Sequence, residues 1–174
     1  MSNKSASGGQ NAGALKVNCN AAVLILIYAV LAAAFAYHHQ SGFLVLSSAK
    51  TGEVYARYPV HTSDTFSIGF IHSVNKSPVT DYYEIRGTQI FVEKTVYYGF
   101  GAGVQTELEE GQTLEYGADG SMIVSGFHRE IPDLVYIVGT VSDHILVVNG
   151  GGEISLSELC QRHTKVRFRV ERLF

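Results

Sequence analysis

The sequence predicts an all-β domain, an antiparallel sandwich or partly open barrel of about ten strands, preceded by one N-terminal transmembrane or signal helix. Three observations predict it. One uncharged apolar run, "AAVLILIYAVLAAAFAY", occupies Ala21–Tyr37. Beyond it, short stretches rich in Val, Ile, Thr, Tyr and Phe recur between glycine-bearing turns, at the roughly 8–12-residue spacing of strands in small all-β domains. After Tyr37 no stretch sustains the apolar period of a helix; "LSELCQRH" has room for one turn.

Taken in order, residues 1–20 are polar and rich in Ser, Gly and Asn, with Lys4 and Lys16 and no acid, and read as a cytoplasmic tail. Residues 21–37 are a membrane anchor or a signal segment. At about 1.5 Å per residue they cover roughly 26 Å, just short of a hydrocarbon core. Ala34-Phe35-Ala36 has the form of a signal-peptidase site. The long polar start and the nearly spanning length favour a retained anchor. Either fate puts residues 42–174 outside: a single-pass protein of the cytoplasmic membrane with its C-terminal domain external, or an exported one.

The extracytoplasmic part opens with "GFLVLSS" and "EVYARYPV" around "AKTG", a hairpin with Gly52 in a left-handed position. "TFSIGFIHSV" and "TDYYEIRG" make a second hairpin, and "TQIFVEKTVYYG" a longer strand. "TLEYG" and "SMIVSGFHREI" flank the turn "ADG". "LVYIVGTV" and "HILVVN" follow, and "TKVRFRVERLF" closes the chain with Val166, Phe168 and Val170 alternating against Arg167, Arg169 and Glu171.

Composition narrows the function. At 174 residues the chain buries enough surface to fold without disulfides. Cys19 and Cys160 fall on opposite sides of the apolar segment, so no disulfide is expected, and neither has a CxxC partner. All 16 acids lie beyond Tyr37, where the 13 basic residues fall to 11. That balance argues against nucleic acid, which requires a basic patch. Gly99, Gly101 and Gly103 resemble a phosphate cradle, but GK[ST] is missing and no helix follows, so no cofactor is expected and the glycines read as backbone devices.

The residues with chemistry cluster in "FSIGFIHSVNKSPVTDYYEI". Phe66, Ile68, Phe70 and His72 share one strand face; Asp81, Tyr83 and Ile85 share one on the returning strand. With "VNKSPV" as the loop, paired residue numbers sum to about 153, setting His72 against Asp81 and Phe70 against Tyr83. This pair either closes a hairpin at the core rim or lines a ligand or metal site with Glu84, His128 or His144. Ser73 points away from His72, and no G-x-S-x-G elbow marks a nucleophile. No complete catalytic motif is present, which points away from an enzyme.

The order of "KTGEVYARYPV", "FIHSVNKSPVTDYYEI", "GFGAG", "REIPDL" and "DHILVVNGGGEISL" resembles the domain-of-unknown-function family numbered eighteen-fifty, over most of Phe43–Val170. The family usually has glutamate where this chain has Asp81, and often Leu-Pro where it has Val104-Gln105. The resemblance implies a small exported or membrane-anchored protein, often encoded beside TRAP transporters of the TAXI type, which take up organic acids with an extracytoplasmic binding protein. Carried over, the candidate positions are His72, Ser73, Asp81, Gly101, Gly103 and His144. The expected partners are the TRAP transporter subunits or that binding protein. The alternative is a binding module for a small organic acid or a divalent metal.

Overall fold

A computed structural model of the chain describes residues 19–39, 41–74, 76–99 and 107–172. The chain divides into two compact units, residues 1–36 and 37–174. The apolar run is helical, in α1 (Cys19–His39). Six consecutive residues, Val23 to Tyr28, are each about half exposed or more. At roughly 100° per residue they occupy every side of the helix. Among the described residues no helix is long and apolar enough to cross a membrane.

The second unit is built from β1 (Ser41–Ser48), β2 (Val54–His61), β3 (Thr65–Ile71), β4 (Pro78–Arg86), β5 (Gln89–Tyr97), β6 (Thr113–Tyr116), β7 (Met122–Glu130), β8 (Leu134–Ile137), β9 (His144–Val148), β10 (Ile154–Ser155), the single helical turn α2 (Leu156–Leu159) and β11 (Lys165–Arg172). The strands form two antiparallel sheets, four strands in the order β2-β1-β11-β8 and seven in the order β10-β9-β3-β4-β5-β7-β6. Neither closes into a barrel, so the architecture is the sandwich of the two forms expected.

Packing follows the period-two pattern. Val166, Phe168 and Val170 of β11 turn inward and are buried, as their alternation with charged residues requires. Leu44 and Leu46 of β1 complete that layer. From the opposite sheet Phe66 stacks on Tyr83 at 4.9 Å and lies nearly parallel to Phe168 at 6.1 Å. Burying each of these large side chains contributes about 1.5–3 kcal/mol, which is what joins the layers. The turn residues act as their types demand: Gly52 and Gly120 have φ of 76° and 82° in the β1–β2 and β6–β7 turns. Ser155 caps α2 by accepting from the Glu158 amide.

Candidate functional site

The β3–β4 hairpin forms with the expected faces but not the expected pairing. Phe66 opposes Tyr83, Ile68 opposes Asp81 and Phe70 opposes Val79. His72 lies beyond the last paired position, its amide donating to the Ser77 carbonyl at 2.9 Å and its carbonyl accepting from Lys76 at 2.9 Å. Lys76 takes φ of 54°, which closes a tighter turn than "VNKSPV" as loop allows. His72 Nδ1 accepts from the Val74 amide at 3.3 Å, inside the same turn. Asp81 is four residues along β4 from Ser77, or about 13 Å at strand rise. The proposed His72–Asp81 pair is therefore not formed. The slip is two residues on each strand, and an even slip leaves every side chain on its face, so the hydrophobic pattern is blind to it.

Asp81 instead enters the sandwich. One carboxyl oxygen accepts from the Thr95 hydroxyl at 2.7 Å, on the neighbouring β5. The other accepts from the phenol of Tyr136, which belongs to β8 of the opposite sheet. Tyr136 lies 2.7 Å from the Tyr83 hydroxyl. Because the Tyr136 proton is engaged by Asp81, Tyr83 is the donor to Tyr136. Burial pushes both phenols well above their ordinary range; neighbouring Asp81 adds to the effect on each. Both remain protonated donors, and the inward acid has the partners its position demands.

His144 stands beside this cluster. It pairs with Phe70 across β3 and β9, and its ring stacks on Phe70 at 5.1 Å with its edge toward Tyr136 at 5.6 Å. Its Nδ1 accepts from the Gly139 amide at 3.2 Å, which puts the ring proton of the neutral form on Nε2. Burial lowers the imidazole, with adjacent Asp143 working the other way. Asp143 is itself held by four donors: the amides of His144 and Ser157 and the hydroxyls of Ser155 and Ser157. Burial works to raise this carboxyl, but those hydrogen bonds together hold it below its ordinary value.

The remaining candidates are dispersed. Ser73 is exposed in the hairpin turn. Glu84 lies on the outer side of the seven-stranded sheet, where Arg86 bridges it to Glu93 at 2.7 Å each. His128 Nδ1 meets Glu93 at 2.5 Å. Gly101 and Gly103, with Val104 and Gln105, lie outside the described residues. Among the described residues no group of three or more His, Cys, Asp or Glu is placed to hold a metal. Among the described residues of the expected set, Asp81 and His144 share a neighbour, Tyr136. Tyr136, Tyr83 and Thr95 were missed. Their signal was the inward acid on β4, which required donors, although nothing local said which.

The outer face of the same sheet carries a second feature. A groove of about 380 Å³ runs over β9, β3 and β4 with Gly69 in its floor. Ile71, Ile145, Val147 and Tyr82 wall it, and Asp143 and Glu153 are the charged residues lining it.

Fold and site together define a small two-sheet β domain whose acid and histidine are partly buried among donors from its own strands and whose outer face carries an open groove. A family model described as "Domain of unknown function (DUF1850)" matches residues 66–156, just over half of the chain, and the chain belongs to that family. No curated protein and no solved structure matches it.

Proposed function

We propose that this chain is a non-enzymatic accessory domain, anchored at or exported across the cytoplasmic membrane, which contacts a TAXI-type TRAP transporter subunit or its extracytoplasmic binding protein. The observation that carries the reading is the placement of the polar residues. Asp81 and His144 are partly buried and already engaged by Tyr136, Thr95 and the Gly139 amide. Catalysis needs such groups to reach a reacting atom. The groove over Gly69, walled by Ile71, Ile145, Val147 and Tyr82, is open to solvent. The gene neighbourhood implied by the family resemblance supplies the partner. The uncharged α1, with apolar side chains on every side, suits a lipid surface or an export signal. The groove does not favour the organic-acid alternative, because both of its charged residues are acidic.

The test is copurification. Full-length chain, tagged and crosslinked in native membranes, is expected to enrich a transporter subunit or the binding protein over an uncrosslinked control. Equal recovery in both samples would sink the reading.

A further inference from the structure

Gly69 sits where glycine is hard to justify from within the chain. It is in the middle of β3, in unbroken register with Thr80 on one side and Ile145 on the other. Interior strand glycines usually mark a bulge, a positive φ or a close backbone approach. Gly69 has no positive φ, in contrast to Gly126 of β7. A Cβ built on it would point into the groove and meet only ordinary contacts, Thr80 Oγ1 at 3.4 Å and two carbonyl oxygens at 4.0 Å. The fold would accept a side chain here. What a side chain would remove is the floor of the groove.

The surroundings say what the space suits. Solvent-facing sides of antiparallel sheets are normally polar. Here Ile71, Ile145, Val147 and Tyr82 line the groove, and the partly buried Val96 and Ile123 continue the apolar surface over β5 and β7. That breadth exceeds one small molecule and fits a polypeptide surface with an anchoring side chain. Asp143 lies one position beyond the His144–Phe70 pair, and Glu153 one before the Ile154–Leu146 pair, so two carboxylates edge the apolar floor. Beyond Tyr37 the chain is acidic as a whole.

We propose that the groove over Gly69 docks a segment of a partner protein that presents an aliphatic or aromatic side chain beside a lysine or arginine, the apolar group seated above Gly69 and the cation meeting Glu153 and Asp143. This rests on the accessory reading above and names the surface and chemistry it uses. Asp143 is pre-organised for the task, since its four donors fix the carboxylate and leave its charge uncompensated.

The experiment places a photocrosslinking amino acid, p-benzoylphenylalanine, in the full-length chain in its native membranes. One position is 71, at the groove; the control is 169, exposed on β11 of the other sheet. The expected result is an adduct from position 71 to a transporter subunit or the binding protein. Its mapped segment should hold an apolar residue next to a lysine or arginine. The adduct should fall at least about tenfold in Glu153→Lys, the size of effect expected when a charge pair at an interface is reversed. Gly69→Phe, checked for an unchanged melting temperature, should fall likewise by filling the groove. Adducts from position 169 but not 71 overturn the docking face and leave the accessory reading standing. Absence of adducts from both positions counts against both. An adduct from 71 that ignores Glu153→Lys, or that maps to an acidic segment, overturns the proposed chemistry.

Discussion

The phenol of Tyr136, on β8 of the four-stranded sheet, donates to the carboxyl of Asp81, on β4 of the seven-stranded sheet. The bond joins the two sheets beside a largely apolar core, and Tyr83 and Thr95 extend it into a chain of hydroxyls. An acid in this position would be costly alone and is specific when satisfied, because only one relative placement of the two sheets meets all its donors.

Removing one hydroxyl therefore costs more than one average hydrogen bond. Tyr136→Phe keeps the ring against Phe70, His144 and Phe168 but leaves an Asp81 oxygen without its donor and Tyr83 without its acceptor. The expected loss is about 1–3 kcal/mol, against about 0.5–1.5 kcal/mol for Tyr83→Phe. Urea unfolding of the two variants and the double variant reads both the losses and their coupling. Additive losses, or a Tyr136→Phe protein as stable as the parent, would show that the cluster does not hold the layers together.

How much of this could be read beforehand depends on whether the signal was local. The β1–β2 and β6–β7 hairpins were legible because Gly52 and Gly120 mark turns a few residues long. The inward faces of β3, β4 and β11 were legible because parity is written in the alternation of side chains. Register was not: pairing His72 with Asp81 and pairing Ile68 with Asp81 put the same residues inside. The deciding feature was the left-handed Lys76, which gave no composition signal. Tyr136 lies 55 residues from Asp81 and reaches it only because β8 joins β11 in the other sheet. Gly69 was visible as a mid-strand glycine, but its lack of an internal cause needed neighbours and distances to establish.

The pH dependence of stability follows from His144. Its imidazole is held below the ordinary 6.5 by burial, only partly opposed by Asp143. The unfolded chain takes up a proton near pH 6.5, whereas the folded chain does so only at lower pH. The unfolded state thus binds more protons in that interval, and stability falls as pH drops below about 6.5. His144→Phe preserves the stack on Phe70 and deletes the titration. Losing the acceptor for the Gly139 amide lowers stability at every pH. The readout is therefore the slope: melting temperature against pH between about 6.5 and 5 should be flatter in the variant than in the parent. Asp143, held below 3.8, acts in a separate and more acid window, where stability is lost as pH falls through its folded value. Parallel slopes for parent and variant would exclude His144 as the source.

Gly126 is a glycine that the fold requires. It has φ of 83° at the irregularity where β7 pairs with β5, and a Cβ there would stand 2.4 Å from the Gly111 carbonyl oxygen. Backbone strain and a clash with backbone act together, so Gly126→Ala is expected to cost about 2–4 kcal/mol. Thermal unfolding of the full-length protein measures it, and a change under about 0.5 kcal/mol would contradict the geometry.

Gly69 predicts the opposite sign. Its backbone suits any L residue and a Cβ finds only ordinary contacts. Glycine in a strand interior gives up about 0.5–1 kcal/mol relative to a residue with a side chain. Threonine is a good strand former, and at this position it would pair directly with Thr80 across β4, a favourable cross-strand combination. Gly69→Thr is therefore expected to raise stability by about 0.5–1 kcal/mol, measured by urea unfolding, while its side chain occupies the groove floor. A gain in stability accompanied by a weaker crosslink from position 71 is the pattern of a residue kept for something outside the chain. A loss of stability would mean that the fold itself requires glycine here, and the argument for an external partner at this groove would fail with it.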